Sequence, residues 1–236
     1  MHTYQTNLIQ GLLHSIQGGT YMIIEEIMIS NVSTLAKDNT IEDAIQLMKE
    51  KRIKHLPIVD KDDHLIGIVT DRDIKECTPS IFYSDEHKEI LKQPLETIMK
   101  ENIITGHPLD FVEEAAAIFY ETRIGCMPII KDNRLVGIVT QTDLLHTLVE
   151  LTGAHQPGSQ IEIRVRNKPG MLFKLFSDIQ NNKVNILSVL VYPDKRDEDF
   201  KIIALRIQTM NPLRLIDDLE KAGHYVLWPN LPGMEE

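Results

Sequence analysis

The residues best placed to do chemistry are a threonine and an aspartate three positions apart, and the chain carries the pair twice. Gly67-Ile68-Val69-Thr70-Asp71-Arg72-Asp73-Ile74 returns 70 residues later as Gly137-Ile138-Val139-Thr140-Gln141-Thr142-Asp143-Leu144. A threonine followed by an acid at this spacing is a capping box, worth ~1 kcal/mol at a helix start. The same place suits a ligand. A helix N-terminus favours an anionic group, and the preceding glycine lets backbone and ligand approach closely. Covalent chemistry is harder to read. Cys126 has no matched His-Asp pair beside it, so it reads as a small core residue rather than a nucleophile. The chain has no Gly-x-Gly-x-x-Gly, no P-loop, no Cys-x-x-Cys and no histidine cluster at ligand spacing. Those absences argue against a dinucleotide enzyme and a structural zinc site.

The elements that must position these pairs also repeat. Arg52-Ile53-Lys54-His55-Leu56-Pro57-Ile58-Val59 matches Arg123-Ile124-Gly125-Cys126-Met127-Pro128-Ile129-Ile130 at a spacing of 71, and Ile27-Met28 matches Ile98-Met99 at the same spacing. One residue is lost between Asp60–Leu65 and Lys131–Leu135. Such a repeat means two copies of one small fold. In the first, Thr40 with Asp43 predicts a capped helix whose inner face is Ile41, Ala44, Ile45 and Met48, ending near Lys51. Leu56 to Val59 and Leu65 to Val69 read as two strands joined by the polar turn Asp60–His64, and a helix follows from Asp71. In the second, Asp110 with Glu113 is expected to cap a helix presenting Val112, Ala115, Ala116 and Phe119, and Leu144, Leu145 and Leu148 belong to its closing helix. Residues 153–159 are the clearest linker. Beyond it, Ile161, Ile163 and Val165 alternate with polar residues as in a half-buried strand. The pattern then gives a turn at Asn167-Lys168-Pro169-Gly170, a helix from Met171, strands over Val184–Tyr192 and Phe200–Gln208, a helix with Asn211 as N-cap and Pro212 at N1, and a strand at Tyr225–Trp228. That order, β-α-β-β-α-β, is ferredoxin-like.

The repeated landmarks resemble the CBS motif, whose tandem pair forms a Bateman module; the likeness covers roughly residues 22–148. The segment from about 160 to 229 resembles an ACT domain, through Asn167-Lys168-Pro169-Gly170-Met171-Leu172 and Asn185-Ile186. Together they imply an α+β, α/β architecture divided as 1–21 leader, 22–83 first CBS domain, 84–152 second, 153–159 linker, 160–229 ACT domain and 230–236 tail. Two CBS copies followed by one ACT domain resemble the AcuB-type acetoin-utilisation proteins of bacilli.

The CBS resemblance implies that Asp73 and Asp143 accept hydrogen bonds from ribose hydroxyls, while Thr70 and Thr140 meet ribose or phosphate. A carboxylate offers two acceptors to a vicinal diol. The base would lie against Ile53-Lys54-His55-Leu56-Pro57 or Ile124-Gly125-Cys126-Met127-Pro128, with Thr34 and Thr105 as further contacts. Where the first copy has Lys54, His55 and Arg72 the second has Gly125, Cys126 and Thr142, so the first copy is expected to hold a phosphate better. The expected ligand is an adenine nucleotide, AMP first, with ADP, ATP, a dinucleotide and S-adenosylmethionine as alternatives. In the ACT domain, Asn167, Pro169, Gly170, Met171, Leu172, Asn185 and Ile186 are ligand candidates. Asn167 stands where that family usually has Asp, which removes a charge for an amino acid's ammonium.

These features imply a non-catalytic regulator of acetoin or butanediol use that needs no cofactor, binds an adenine nucleotide and signals to a protein partner in acetyl-CoA synthesis. The alternatives are an ACT-based amino-acid sensor with the CBS pair as a dimerisation platform, and an enzyme acting directly on acetoin. A homodimer is expected. A net charge of -10 argues against duplex binding, no apolar run reaches the ~18 residues a membrane span needs, and two cysteines fit a reduced cytoplasm. Asp60, Asp62 and Asp63 are too closely placed for an EF-hand and read as a hairpin tip, so no metal is expected. Residues 1–21 lack Lys and Arg. Gly18-Gly19 ahead of Met22 suggests that translation naturally starts at Met22.

Overall fold

In the computed structural model, residues 22–77, 86–180 and 182–229 are described. The leader and the tail lie outside them. The chain forms two compact units, Met1–Leu144 and Leu145–Glu236.

In the first unit, α1 (Ile24–Ile27) precedes α2 (Ile41–Lys51), β1 (His55–Val59), β2 (Leu65–Thr70) and α3 (Asp71–Cys77). Then come α4 (Glu86–Leu91), a 3-10 turn (Leu95–Thr97), α5 (Val112–Thr122), β3 (Cys126–Lys131), β4 (Arg134–Thr140) and α6 (Gln141–Leu151), the last running into the second unit. The Thr40 box forms as read: Asp43 N–H donates to Thr40 Oγ1 at 3.1 Å, and Thr40 N–H to Asp43 Oδ2 at 2.8 Å. α2 and α5 stop alike, at Arg52 and Arg123 in the left-handed region (φ 55° and 57°). The expected cap on α5 needs correction. Phe111 is its N-cap, without a side-chain bond, and Asp110 Oδ2 instead accepts from His107 N–H at 2.6 Å. The aspartate is spent on the turn ahead of the helix. Each copy contributes one antiparallel hairpin, β1 with β2 and β3 with β4.

The repeating unit of the sequence is not the packing unit. The opening of each copy packs on the other. Ile24 is fully buried among Val112, Phe119, Met127 and Val139, and Ile29 forms a bridge with Ile138. Conversely Leu95 is buried with Ile41, Leu56 and Val69, and Lys100 bridges Ile68 through two 2.9 Å backbone bonds. The two openings pack methionine over glycine: Met99 lies over Gly67, where a Cβ would come within 2.6 Å of its Sδ, and Met28 lies over Gly137. After these exchanged openings each segment returns to its own copy, Leu35 bridging Ile58 and Gly106 bridging Ile129.

The second unit is an antiparallel sheet of β5 (Ser159–Arg166), β6 (Ile186–Pro193), β7 (Phe200–Ile207) and β8 (Tyr225–Trp228), ordered β6-β7-β5-β8. Two helices, α7 (Met171–Gln180) and α8 (Leu213–Lys221), bury Leu175, Ile179, Leu215, Ile216 and Leu219 against Ile161, Ile163, Ile203 and Leu205. At α8 the start moves one position. Pro212 is the N-cap, and Asn211 Oδ1 still accepts from Leu213 N–H at 3.2 Å. Gly223 ends the helix at φ 83°.

Candidate nucleotide cleft

Each Thr-x-x-Asp pair closes on itself at a helix start. Thr70 N–H and Oγ1 donate to Asp73 Oδ2 at 2.8 and 2.5 Å. Thr140 N–H and Oγ1 donate to Asp143 Oδ2 at 2.8 and 2.7 Å. The other oxygen of the first pair has a cationic partner. Asp73 Oδ1 meets Lys100 Nζ at 2.5 Å, brought there by the exchanged opening of the second copy. The matched position in the other opening is Ile29. Asp73 is buried, whereas the Lys100 side chain is 62% exposed. Burial alone would raise the Asp73 carboxyl; the hydrogen bonds from Lys100 and Thr70 outweigh it and hold it below its ordinary value.

Beside these groups lies a cleft of about 400 Å³ shared by both copies. The first copy supplies His55, Ile68, Thr70, Asp71 and Arg72; the second supplies Asn102, Ile103, Ile104, Arg123, Ile124, Gly125, Cys126 and Gln141, with Lys100 between them. His55 lies directly over Gly125, where a Cβ would stand 2.6 Å from its Nε2, so the position has no room for a side chain unless the imidazole moves. Burial holds the His55 imidazole below its ordinary value, against the opposing charge of Asp71. Burial pushes the Cys126 thiol up to about 12, which keeps it protonated and poorly nucleophilic. Arg72, Lys100 and Arg123 bring three cations to the lining, against the Asp71 carboxylate in it and the Asp73 carboxylate paired with Lys100. In a chain of net charge -10 this is a local positive site. Apolar walls come from Ile68, Ile103, Ile104 and Ile124.

Of the residues singled out from sequence, the cleft gathers His55, Thr70, Arg72, Ile124, Gly125 and Cys126. Asp73 sits behind Thr70 and Lys100 rather than in its lining. Ile53, Lys54, Pro57, Pro128, Thr140 and Asp143 are also outside the lining. Lys54 is exposed, and its carbonyl accepts from Asp71 N–H at 3.0 Å. Pro57 and Pro128 are buried in the hairpins. Thr34 and Thr105 stand just ahead of the bridging residues Leu35 and Gly106, Thr34 half-buried and Thr105 exposed. Lys100, Arg123, Asp71 and Gln141 also line the cleft and were not among the site residues read from the sequence. Lys100 directly follows the Ile98-Met99 landmark, and Arg123 repeats Arg52 at the same helix end.

In the second unit a smaller groove of about 180 Å³ is lined by Asn167, Lys168, Pro169, Gly170, Met171 and Leu172, with Arg166 and Lys201 nearby. Gly170 takes φ 85°, which the turn requires. Asn185 and Ile186 lie outside this groove; the Asn185 side chain donates to Gln208 Oε1 at 3.0 Å. At the β1–β2 hairpin tip, Asp60 Oδ1 accepts from Asp62 and His64 N–H, both at 2.9 Å, so its carboxylate ties the turn.

Comparison with known proteins agrees with this architecture. The CBS domain family matches residues 24–78 and 95–150, and the ACT domain family matches 159–224. A CBS domain-containing protein of Dictyostelium discoideum is 32% identical over 143 residues, covering 58% of this chain and 99% of that protein. A homoserine O-acetyltransferase of Methanohalobium evestigatum is 34% identical over 140 residues, but the chain spans only 26% of that enzyme. A solved structure from Vibrio cholerae, provisionally named acetoin utilization protein AcuB, is 29% identical with a TM-score of 0.50, covering 58% of this chain and 100% of that one. The chain belongs to the CBS-domain proteins, and joins a tandem CBS pair to a C-terminal ACT domain.

Proposed function

We propose that this chain is a non-catalytic regulatory protein that senses an adenine nucleotide, AMP first, in the cleft between its CBS copies. The observation that carries this is the convergence of Arg72, Lys100 and Arg123 on an isoleucine-walled cleft. An adenine ring fits between the isoleucines, with its edge toward the backbone of Ile124, Gly125 and Cys126. A phosphate suits the two guanidiniums, which offer planar paired donors. Asp73 would take the ribose hydroxyls once Lys100 moves aside. A ligand that prefers one arrangement of the copies shifts the population toward it, and a partner that distinguishes the arrangements reads the signal. The likeness to the Vibrio cholerae protein supports a role in acetoin or butanediol use, through a partner controlling acetyl-CoA synthesis. We place the protein in the cytoplasm as a homodimer; among the described residues no helix is long and apolar enough to cross a membrane.

Calorimetric titration of the full chain with AMP, ADP, ATP and S-adenosylmethionine tests this, with an assay for acetoin turnover beside it. Saturable AMP binding without turnover is the expected result. Turnover of acetoin, or no nucleotide binding by the folded chain, overturns it. The groove along Asn167–Leu172 favours a second reading, an amino-acid sensor whose CBS pair is a platform. In that case an amino acid binds, Asn167→Ala abolishes it, and Asp73→Ala leaves it unchanged.

A further inference from the structure

We propose that Lys100 is an internal competitor for Asp73, and that it makes the cleft select nucleoside phosphates over neutral or cationic adenosine compounds. The inference rests on the nucleotide reading above and deepens it. Both Asp73 oxygens are committed in this structure: Oδ2 takes two bonds from Thr70, and Oδ1 takes the Lys100 ammonium at 2.5 Å. Thr70 and Lys100 line the cleft and Asp73 does not. The lysine side chain therefore stands between the cleft and the buried carboxylate. A ribose reaches Asp73 only by replacing an ammonium with neutral hydroxyl donors. That exchange gives up an ion pair at a carboxylate whose side chain is 5% exposed.

A ligand that brings its own anion offsets the loss. The released ammonium stays in the cleft, because the Lys100 backbone is bound to Ile68 by two hydrogen bonds and Met99 is packed over Gly67. There it joins Arg72 and Arg123 around the phosphate. Adenosine supplies no such anion, and a sulfonium adds a like charge. The anchored backbone also means that the lysine's change of partner acts on the opening of the second copy, which is the segment packed on the first.

The test is titration of the wild-type chain, Lys100→Met and Lys100→Arg with AMP, adenosine and S-adenosylmethionine. The wild type is expected to prefer AMP to adenosine. Lys100→Met should shrink that preference by about tenfold, partly through tighter adenosine binding at an uncovered Asp73. Lys100→Arg should retain it. The Lys100 side chain is largely exposed, so its loss removes no packed apolar side chain, and Lys100→Arg keeps a cation at the buried Asp73. An AMP-to-adenosine preference unchanged in Lys100→Met overturns the role of Lys100 and leaves the nucleotide reading standing. Failure of all three proteins to bind any adenine compound overturns the nucleotide reading and this inference together. Adenosine binding gained only in Lys100→Met supports the competitor directly.

Discussion

The two CBS copies share an element order, a hairpin register and a Thr-x-x-Asp pair, yet their carboxylates have different surroundings. Asp73 is buried beneath Lys100, while the position matched to Lys100 beside the second copy is Ile29. Neither residue belongs to the copy whose hairpin it bridges. Because the openings are exchanged, Lys100 arrives at the first copy from the second, and Ile29 arrives at the second from the first. A substitution in an opening can therefore re-tune the opposite site without disturbing its own hairpin. The cleft shows the same division. Arg72 comes from one copy and Arg123 from the other, and His55 of the first lies over Gly125 of the second. A duplicated fold supplies two frames, and the cross-packing makes them unequal.

The largest expected effect breaks the exchange itself. Ile24→Ala removes a fully buried side chain from the second copy's core and should cost about 2–4 kcal/mol. Hydrogen exchange should then rise first in α5, β3 and β4. A rise concentrated in α2, β1 and β2 would contradict the packing. Next, Arg72→Ala and Arg123→Ala should each weaken AMP binding by about 10- to 100-fold, from the loss of a charged hydrogen-bond donor. Thr142→Ala, at the position matched to Arg72, should change it by less than about twofold. Equal effects at Arg72 and Thr142 would remove the asymmetry in calorimetric titration.

A third effect is the acid dependence that Asp73 confers. The folded Asp73 carboxyl is held below its ordinary 3.8, so the unfolded chain takes up the proton first as pH falls. Its contribution is present at neutral pH and is lost from about pH 5 downward. Asp73→Asn should flatten the acid limb of a denaturant-midpoint profile while lowering stability at neutral pH. An acid limb as steep as wild type would show that Asp73 does not shape it. The smallest effect is at Gly125→Ala. Its Cβ pushes the flexible end of His55, so AMP affinity should fall only about two- to fivefold, and His55→Ala in the same chain should restore much of it.

Much of this was legible in the sequence. The spacings of 70 and 71 residues carried both hairpins, and Thr40 with Asp43 carried a helix start, because each is a local pattern. The cap at Asp110 misled because an aspartate serves a preceding turn as readily as a following helix. Lys100 and Arg123 were missed for a different reason. A repeat shows which residues are equivalent, but not which copy a segment packs against, so the residues that complete a site from the opposite copy stay hidden. Comparing Ile29 with Lys100 at the same landmark was the available signal. Lys54 precedes β1, and its side chain is exposed outside the cleft lining, while His55 lies over Gly125.

The most direct test of the central claim is calorimetric titration of AMP into the wild-type chain, Asp73→Ala and Asp143→Ala under one buffer. AMP binding that is lost in Asp73→Ala and retained in Asp143→Ala is the expected result, and it locates the site beside the first copy's carboxylate. Binding retained in Asp73→Ala and lost in Asp143→Ala, or absent from the folded wild type, contradicts it.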